Sequence, residues 1–296
     1  MKATRAILMT AMSLSLLLVG CTGRTAAWEA EKAAKEAAGD SGAAGELKAQ
    51  AEAHWAKRTD PEEIKQAIAA WEKAVALDPS DYQSLTSITR GLYFLADGYL
   101  RGDDEAYLDT MDQGVAWGEK AMMAVSSDFE KRMRDGEKLE TAIEAIGVEG
   151  VGALYWYATN LGKWAKKKGF AVLLGNKDKV KAIMERCLKL DPTYFHGAPD
   201  RYFGAFYAVA PKFAGGDLEK SAQHYAKSLE LAPYYIGTRV LMAENLAVKK
   251  QDRALFDEQL EAALEVDENA VPEIRPEVLV EKKKAEELQK NADELF

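Results

Sequence analysis

The chain reads as an all-α protein, a solenoid of helical hairpins closed by a C-terminal capping helix. Three observations predict this. One helix-ending phrase recurs down the sequence. Helix starts and stops carry the side chains that cap helices. No alternating β-branched run competes, and Val172-Leu173-Leu174 is too short to weigh.

The first element is a leader. Met1-Lys2-Ala3-Thr4-Arg5 is basic, residues 6–19 are largely apolar, and Leu18-Val19-Gly20-Cys21 follows. A basic start, a short apolar run and a small residue before the cut form an export signal. The run is shorter than the roughly 20 apolar residues that span a bilayer. Cysteine after glycine makes it a lipobox, so residues 1–20 are removed and Cys21 is acylated. Each buried methylene contributes about 0.8 kcal/mol, so several chains anchor stably. Thr22, where Asp would favour inner-membrane retention, points to a periplasmic protein held at the outer membrane.

Residues 21–46 read as a tether. Their Ala, Glu and Lys favour partial helix, and Gly39, Gly42 and Gly45 interrupt it. The α-helical domain is expected over 47–296. Asp60-Pro61-Glu62-Glu63 starts a helix: Asp60 caps free amides, Pro61 needs no donor, and Glu63 can reach back. Ile64, Ile68, Trp71, Val75 and Leu77 share its apolar face. Asp78-Pro79 ends it, because proline pushes its predecessor out of the helical region.

The ending recurs at positions 79, 126, 192, 233 and 268, spaced by 47, 66, 41 and 35 residues. It is sharpest at 71–79, 184–192 and 225–233 and loosest at 118–129. Small residue, Leu or Val, then Leu-Asp-Pro or Leu-Ala-Pro at a helix end resembles the tetratricopeptide repeat, whose period is 34 residues. Trp71, Leu77, Leu188, Leu190, Tyr225, Leu229 and Leu231 are then frame. Lys166-Lys167-Lys168-Gly169 stops another helix, and Asp217 caps the next. Residues 272–293 form the terminal helix that covers the last repeat's open face, as stacked repeats require.

Composition narrows the function. There are 39 basic and 48 acidic residues; without Lys2 and Arg5 the mature chain has 37 basic residues and a net charge of −11. That balance argues against nucleic acid or an anionic membrane surface as partner. Cys187 has no disulfide partner once Cys21 is acylated, and reads as a small buried hydrophobe. His54, His196 and His224 are scattered, with no metal-ligand spacing and no nucleophile beside them. Asp103-Asp104 and Glu62-Glu63 sit at helix starts, where the dipole accounts for them. Nothing calls for a cofactor, a metal or an enzyme.

The aromatic centre is the candidate site. On a helix over 149–168, Leu154, Tyr157, Leu161 and Trp164 form one stripe, read as core. Tyr155, Thr159 and Gly162 form a second, and Trp156, Asn160 and Lys163 a third. These two suit a cleft for a mostly apolar ligand with a polar end. Asn160 stands out because a helix interior disfavours it. Arg201 and Arg239 can fork onto a carboxylate, or pair with Asp200, Glu244 or a neighbouring helix instead. Tyr202 and Phe206 share one short helix with Phe203 and Tyr207, and Phe213 lies in a partly apolar loop that either packs back or meets a partner. Packing alone also accounts for an aromatic stripe.

The run Tyr155-Trp156-Tyr157-Ala158-Thr159-Asn160-Leu161-Gly162-Lys163-Trp164 resembles the T-component (TatT) proteins of TRAP transporter systems. So do Gly197-Ala198-Pro199-Asp200-Arg201-Tyr202-Phe203-Gly204 and Gly215-Gly216-Asp217 after it. Thr238-Arg239-Val240-Leu241-Met242-Ala243-Glu244 and Gln251-Asp252-Arg253 complete the likeness, densest over 150–264. His196-Gly197-Ala198 departs from the Gly-rich start expected there. The resemblance implies a periplasmic lipoprotein and a homotrimer. It implies a cleft or pore in each subunit and association with a solute-binding P-component that carries a hydrophobic organic acid. The other reading is a tetratricopeptide scaffold lipoprotein that binds only protein partners in envelope assembly.

Overall fold

The computed structural model describes residues 24–30 and 41–296; the leader and Cys21 lie outside the described residues. The described chain is helical throughout, without a strand, so the all-α expectation holds. Among the described residues no helix is long and apolar enough to cross a membrane.

The first two hairpins are α1 (Ser41–Trp55) with α2 (Pro61–Leu77), and α3 (Tyr82–Tyr99) with α4 (Asp104–Val125). Ordered structure therefore precedes Leu47, and α1 runs through Gly42 and Gly45. The short α5 (Ser127–Arg134) and α6 (Leu139–Ala142) lead to α7 (Val151–Lys168) and α8 (Phe170–Leu190). Then come α9 (Tyr194–Val209) and α10 (Leu218–Leu231). The chain continues through α11 (Gly237–Leu241), a π-helical stretch (Met242–Ala247) and α12 (Val248–Lys250). It ends with α13 (Arg253–Glu265), α14 (Arg275–Lys290) and α15 (Ala292–Leu295).

Local chemistry sets these boundaries. Asp60, Asp81, Asp103, Asp217 and Asp252 each accept amide hydrogens at a helix start. Glu63 does not complete a capping box at Asp60; its carboxylate lies 2.6 Å from His54 Nδ1. Two of the recurring endings share one turn. The Asp78 carboxylate accepts from the Ser80 amide and hydroxyl, at 3.1 and 2.6 Å. That of Asp191 accepts from the Thr193 amide and hydroxyl, at 2.9 and 2.6 Å. The aspartate thus folds the chain into the next helix, which is why the phrase could be read as a repeat.

Two main cores result. The larger runs from α1 to α9 and includes Trp71, Ile88, Met111, Leu154 and Ile183. The smaller joins α11, α13 and α14 through Ile236, Val240, Phe256, Leu260 and Val278. Helix α14 does more than cap the last hairpin. Glu277 receives Arg58 at 2.8 Å and Arg90 at 2.9 Å. Lys284 reaches Asp97 at 2.6 Å, and Val280 joins the larger core. The terminal helix therefore bridges the first hairpins to the last, and the helices enclose a cavity.

Candidate functional site

The cavity measures about 360 Å³ and is bounded by α3, α7, α8, α9, α11 and α14. That volume lies in the range of roughly 300–1,000 Å³ typical of small-molecule sites. Its walls divide by chemistry. Toward solvent they are apolar: Phe170, Leu173, Leu174, Phe206, Val209 and Pro211. Phe170, Leu174 and Val209 are exposed, which places the mouth at this end. Tyr155, Trp156, Tyr235 and Arg201 are buried and close the other end.

The α7 stripes explain part of this. Leu154, Tyr157, Leu161 and Trp164 are buried away from the cavity, while Tyr155, Thr159, Gly162, Trp156 and Lys163 line it. Asn160 does not, a correction to its place in the cleft. Its amide donates to the Thr89 carbonyl at 3.1 Å and the Trp156 carbonyl at 2.8 Å. A Cβ at Gly114 would lie 2.2 Å from its Oδ1, so Asn160 fills a helix–helix contact with α4. Arg239 also leaves the candidate set: it is held on Gln259 Oε1 at 2.9 Å and does not line the cavity. Trp156, Lys163, Arg201, Tyr202 and Phe206 do come together there.

Arg201 is the unusual group. It is 5% exposed. It pairs with neither Asp200 nor Glu244. Its guanidinium donates to the His196 carbonyl at 2.9 Å, the Phe195 carbonyl at 3.2 Å and Thr238 Oγ1 at 3.4 Å, and lies 4.3 Å from the Tyr235 ring. Among the described residues no carboxylate lies within ion-pair reach. Asp200 instead faces His224 Nδ1 at 2.7 Å. A buried charge is ordinarily matched by an opposite charge.

The backbone is bent to serve it. Phe195 and His196 sit at φ 42° and 61°, and Gly197 at 70°. Left-handed φ costs a non-glycine residue about 1–2 kcal/mol. Interactions on both sides offset that cost. Their carbonyls bind Arg201, His196 stacks on Tyr235 at 5.0 Å, and Phe195 packs on Trp156 at 4.8 Å. The departure from a Gly-rich start thus falls where glycine is the relaxed choice.

The same cavity wall carries a triad of which the sequence supplied only Lys163. Asp97 is buried between Lys163 Nζ at 2.7 Å and Lys284 Nζ at 2.6 Å. Burial alone would raise its carboxyl pKa, but the two ammonium groups outweigh burial and hold it well below the usual carboxylate range. Arg90 also lines the wall, paired with Glu277 and set 5.0 Å from the Phe195 ring. An acid directly after the apolar run Leu92-Tyr93-Phe94-Leu95-Ala96 was the available signal for Asp97. Among the described residues no group of three His, Cys, Asp or Glu side chains is arranged to hold a metal. Cys187 is buried on α8, and burial pushes its thiol up.

Comparison with known proteins adds a family. A family model described as TRAP transporter T-component matches residues 110–296. A protein of Treponema pallidum (strain Nichols), described only as uncharacterized, is 27% identical over 164 residues. The match covers 55% of this chain and 51% of the relative, so the chain spans about half the length of that relative.

Proposed function

The chain belongs to the TRAP transporter T-component family, and from that premise we propose how its cavity is used. It is an accessory lipoprotein of a TRAP-type uptake system, in the periplasm, anchored through acylated Cys21 at the outer membrane. It assembles as a homotrimer, docks the solute-binding protein, and holds or passes a hydrophobic organic acid. Its hairpins are degenerate tetratricopeptide repeats that frame the cavity. No chemistry is performed on the ligand.

Arg201 carries this reading. A buried guanidinium without a carboxylate, at the closed end of a cavity with an apolar mouth, fits a carboxylate headgroup on an apolar chain. The headgroup supplies the missing charge, and Tyr202, Phe206 and Leu173 take the chain. The Asp97 triad is already internally paired and leaves Arg201 as the recognition element.

Calorimetric titration of the chain from residue 22 onward with dodecanoate and with dodecanol tests it. Dodecanoate is expected to bind at least tenfold more tightly, a difference of about 1.4 kcal/mol. Arg201→Met should bring dodecanoate down to the alcohol's affinity. Equal binding of the two, or none, would sink the ligand reading. The protein-only scaffold would then be favoured, with the exposed Phe213 as its contact.

A further inference from the structure

Residues 24–30 follow Cys21 closely, yet they lie bound to the body. The Arg24 guanidinium meets the Asp112 carboxylate and donates to Glu119 at 2.8 Å and to the Asp112 carbonyl at 3.3 Å. The Ala27 amide donates to the other Glu119 oxygen at 2.8 Å. Arg134 on α5 donates to the Trp28 and Ala30 carbonyls at 3.2 and 2.9 Å. The Trp28 ring meets Phe129 and Tyr157 edge-on, with centroids 6.0 and 6.3 Å away.

Glu119 ties the segment to the body. It is 2% exposed, and among the described residues Arg24 is its only ion-pair partner. Burial raises its carboxyl pKa, against Arg24 and the Ala27 amide. Lifting the segment away would remove from this carboxylate both its cation and that amide.

We infer that residues 24–30 are a strap that clamps the α4–α5 side of the domain against the membrane and turns the cavity away from it. This rests on the lipid anchor at Cys21 proposed above. Three residue steps separate Cys21 from Arg24, and an extended chain covers about 3.5 Å per residue. The chain length therefore limits the attachment point to about 10 Å from the docked Arg24. The strap touches α7 at Tyr157. At about 100° per residue, the α7 residues that line the cavity lie roughly 80–180° round the helix from Tyr157, with Tyr155 and Thr159 near the far side. The cavity face of α7 is thus turned away from the strap, and a solute-carrying partner approaches from the aqueous side.

The test uses the full-length acylated protein in vesicles of phosphatidylethanolamine and phosphatidylglycerol carrying a nitroxide headgroup lipid. A fluorophore is placed at Lys131→Cys on α5 or at Phe213→Cys by the cavity mouth; Cys187 is buried and Cys21 acylated. Several-fold stronger quenching at position 131 is expected. Inserting twelve Gly/Ser residues after Gly23, a leash of roughly 20 Å, should shrink the difference. Protein that floats with the vesicles but is quenched equally at both positions overturns the strap. Protein that does not float overturns the anchor on which it rests.

Discussion

Asp97 shows how one side chain can hold a cavity wall. Its two lysines come from α7 and α14, elements far apart in sequence, and both reach the same carboxylate. Removing one partner of a buried ionic group costs about 3–5 kcal/mol, because the other charges stay buried and unpaired. Asp97→Asn is therefore expected to lower unfolding free energy by about 3 kcal/mol at pH 7. The pH dependence follows from the depressed carboxyl. Its stabilisation is complete above the unfolded aspartate value of about 4, and is lost as pH falls toward the folded value. Urea unfolding at pH 7 and pH 3 should show the gap between the two proteins narrowing by roughly 1 kcal/mol at pH 3. A constant gap would mean that packing rather than charge explains the loss.

At the scale of elements, the sequence is most legible where the determinants are local. Asp60 and Asp217 could be read as caps because a cap needs only the next three residues. The stripes of α7 follow from helical periodicity, so Tyr155 and Leu154 were correctly parted. Asn160 shares its stripe with Trp156 yet faces α4, because the carbonyl it binds and the Gly114 notch it fills belong to other helices. Helix α14 is the larger case. Its cap role was legible from position. Its return to Arg58 was not, since the pair is 219 residues apart. This return is the clasp of the enclosure. Glu277 is buried, and losing it leaves Arg58 buried against Trp55 and Arg90 without a carboxylate. Glu277→Ala should cost about 3–5 kcal/mol and speed amide exchange in α14 well beyond that in α13. Equal exchange in the two helices would show that apolar packing alone holds the clasp.

At the scale of the whole molecule, the cavity mouth is also an apolar surface. Phe170 is 61% exposed and Phe213 81%, with Leu174 and Val209 beside the opening. Contiguous exposed apolar groups around a cleft mark a place where another molecule sits. On the function proposed above, the solute-binding partner docks here, because an apolar chain moving between two cavities is best kept from water. Phe213 does not line the cavity, so its change leaves ligand contacts intact. Sedimentation of the chain from residue 22 onward is expected to give a trimer that gains mass on mixing with its solute-binding protein. Phe213→Asp should keep the trimer, keep dodecanoate binding, and lose the mass gain. A variant that falls to monomer would assign the rim to contacts between copies. One that still gains mass would place the partner elsewhere, and transfer through this mouth would fail with it.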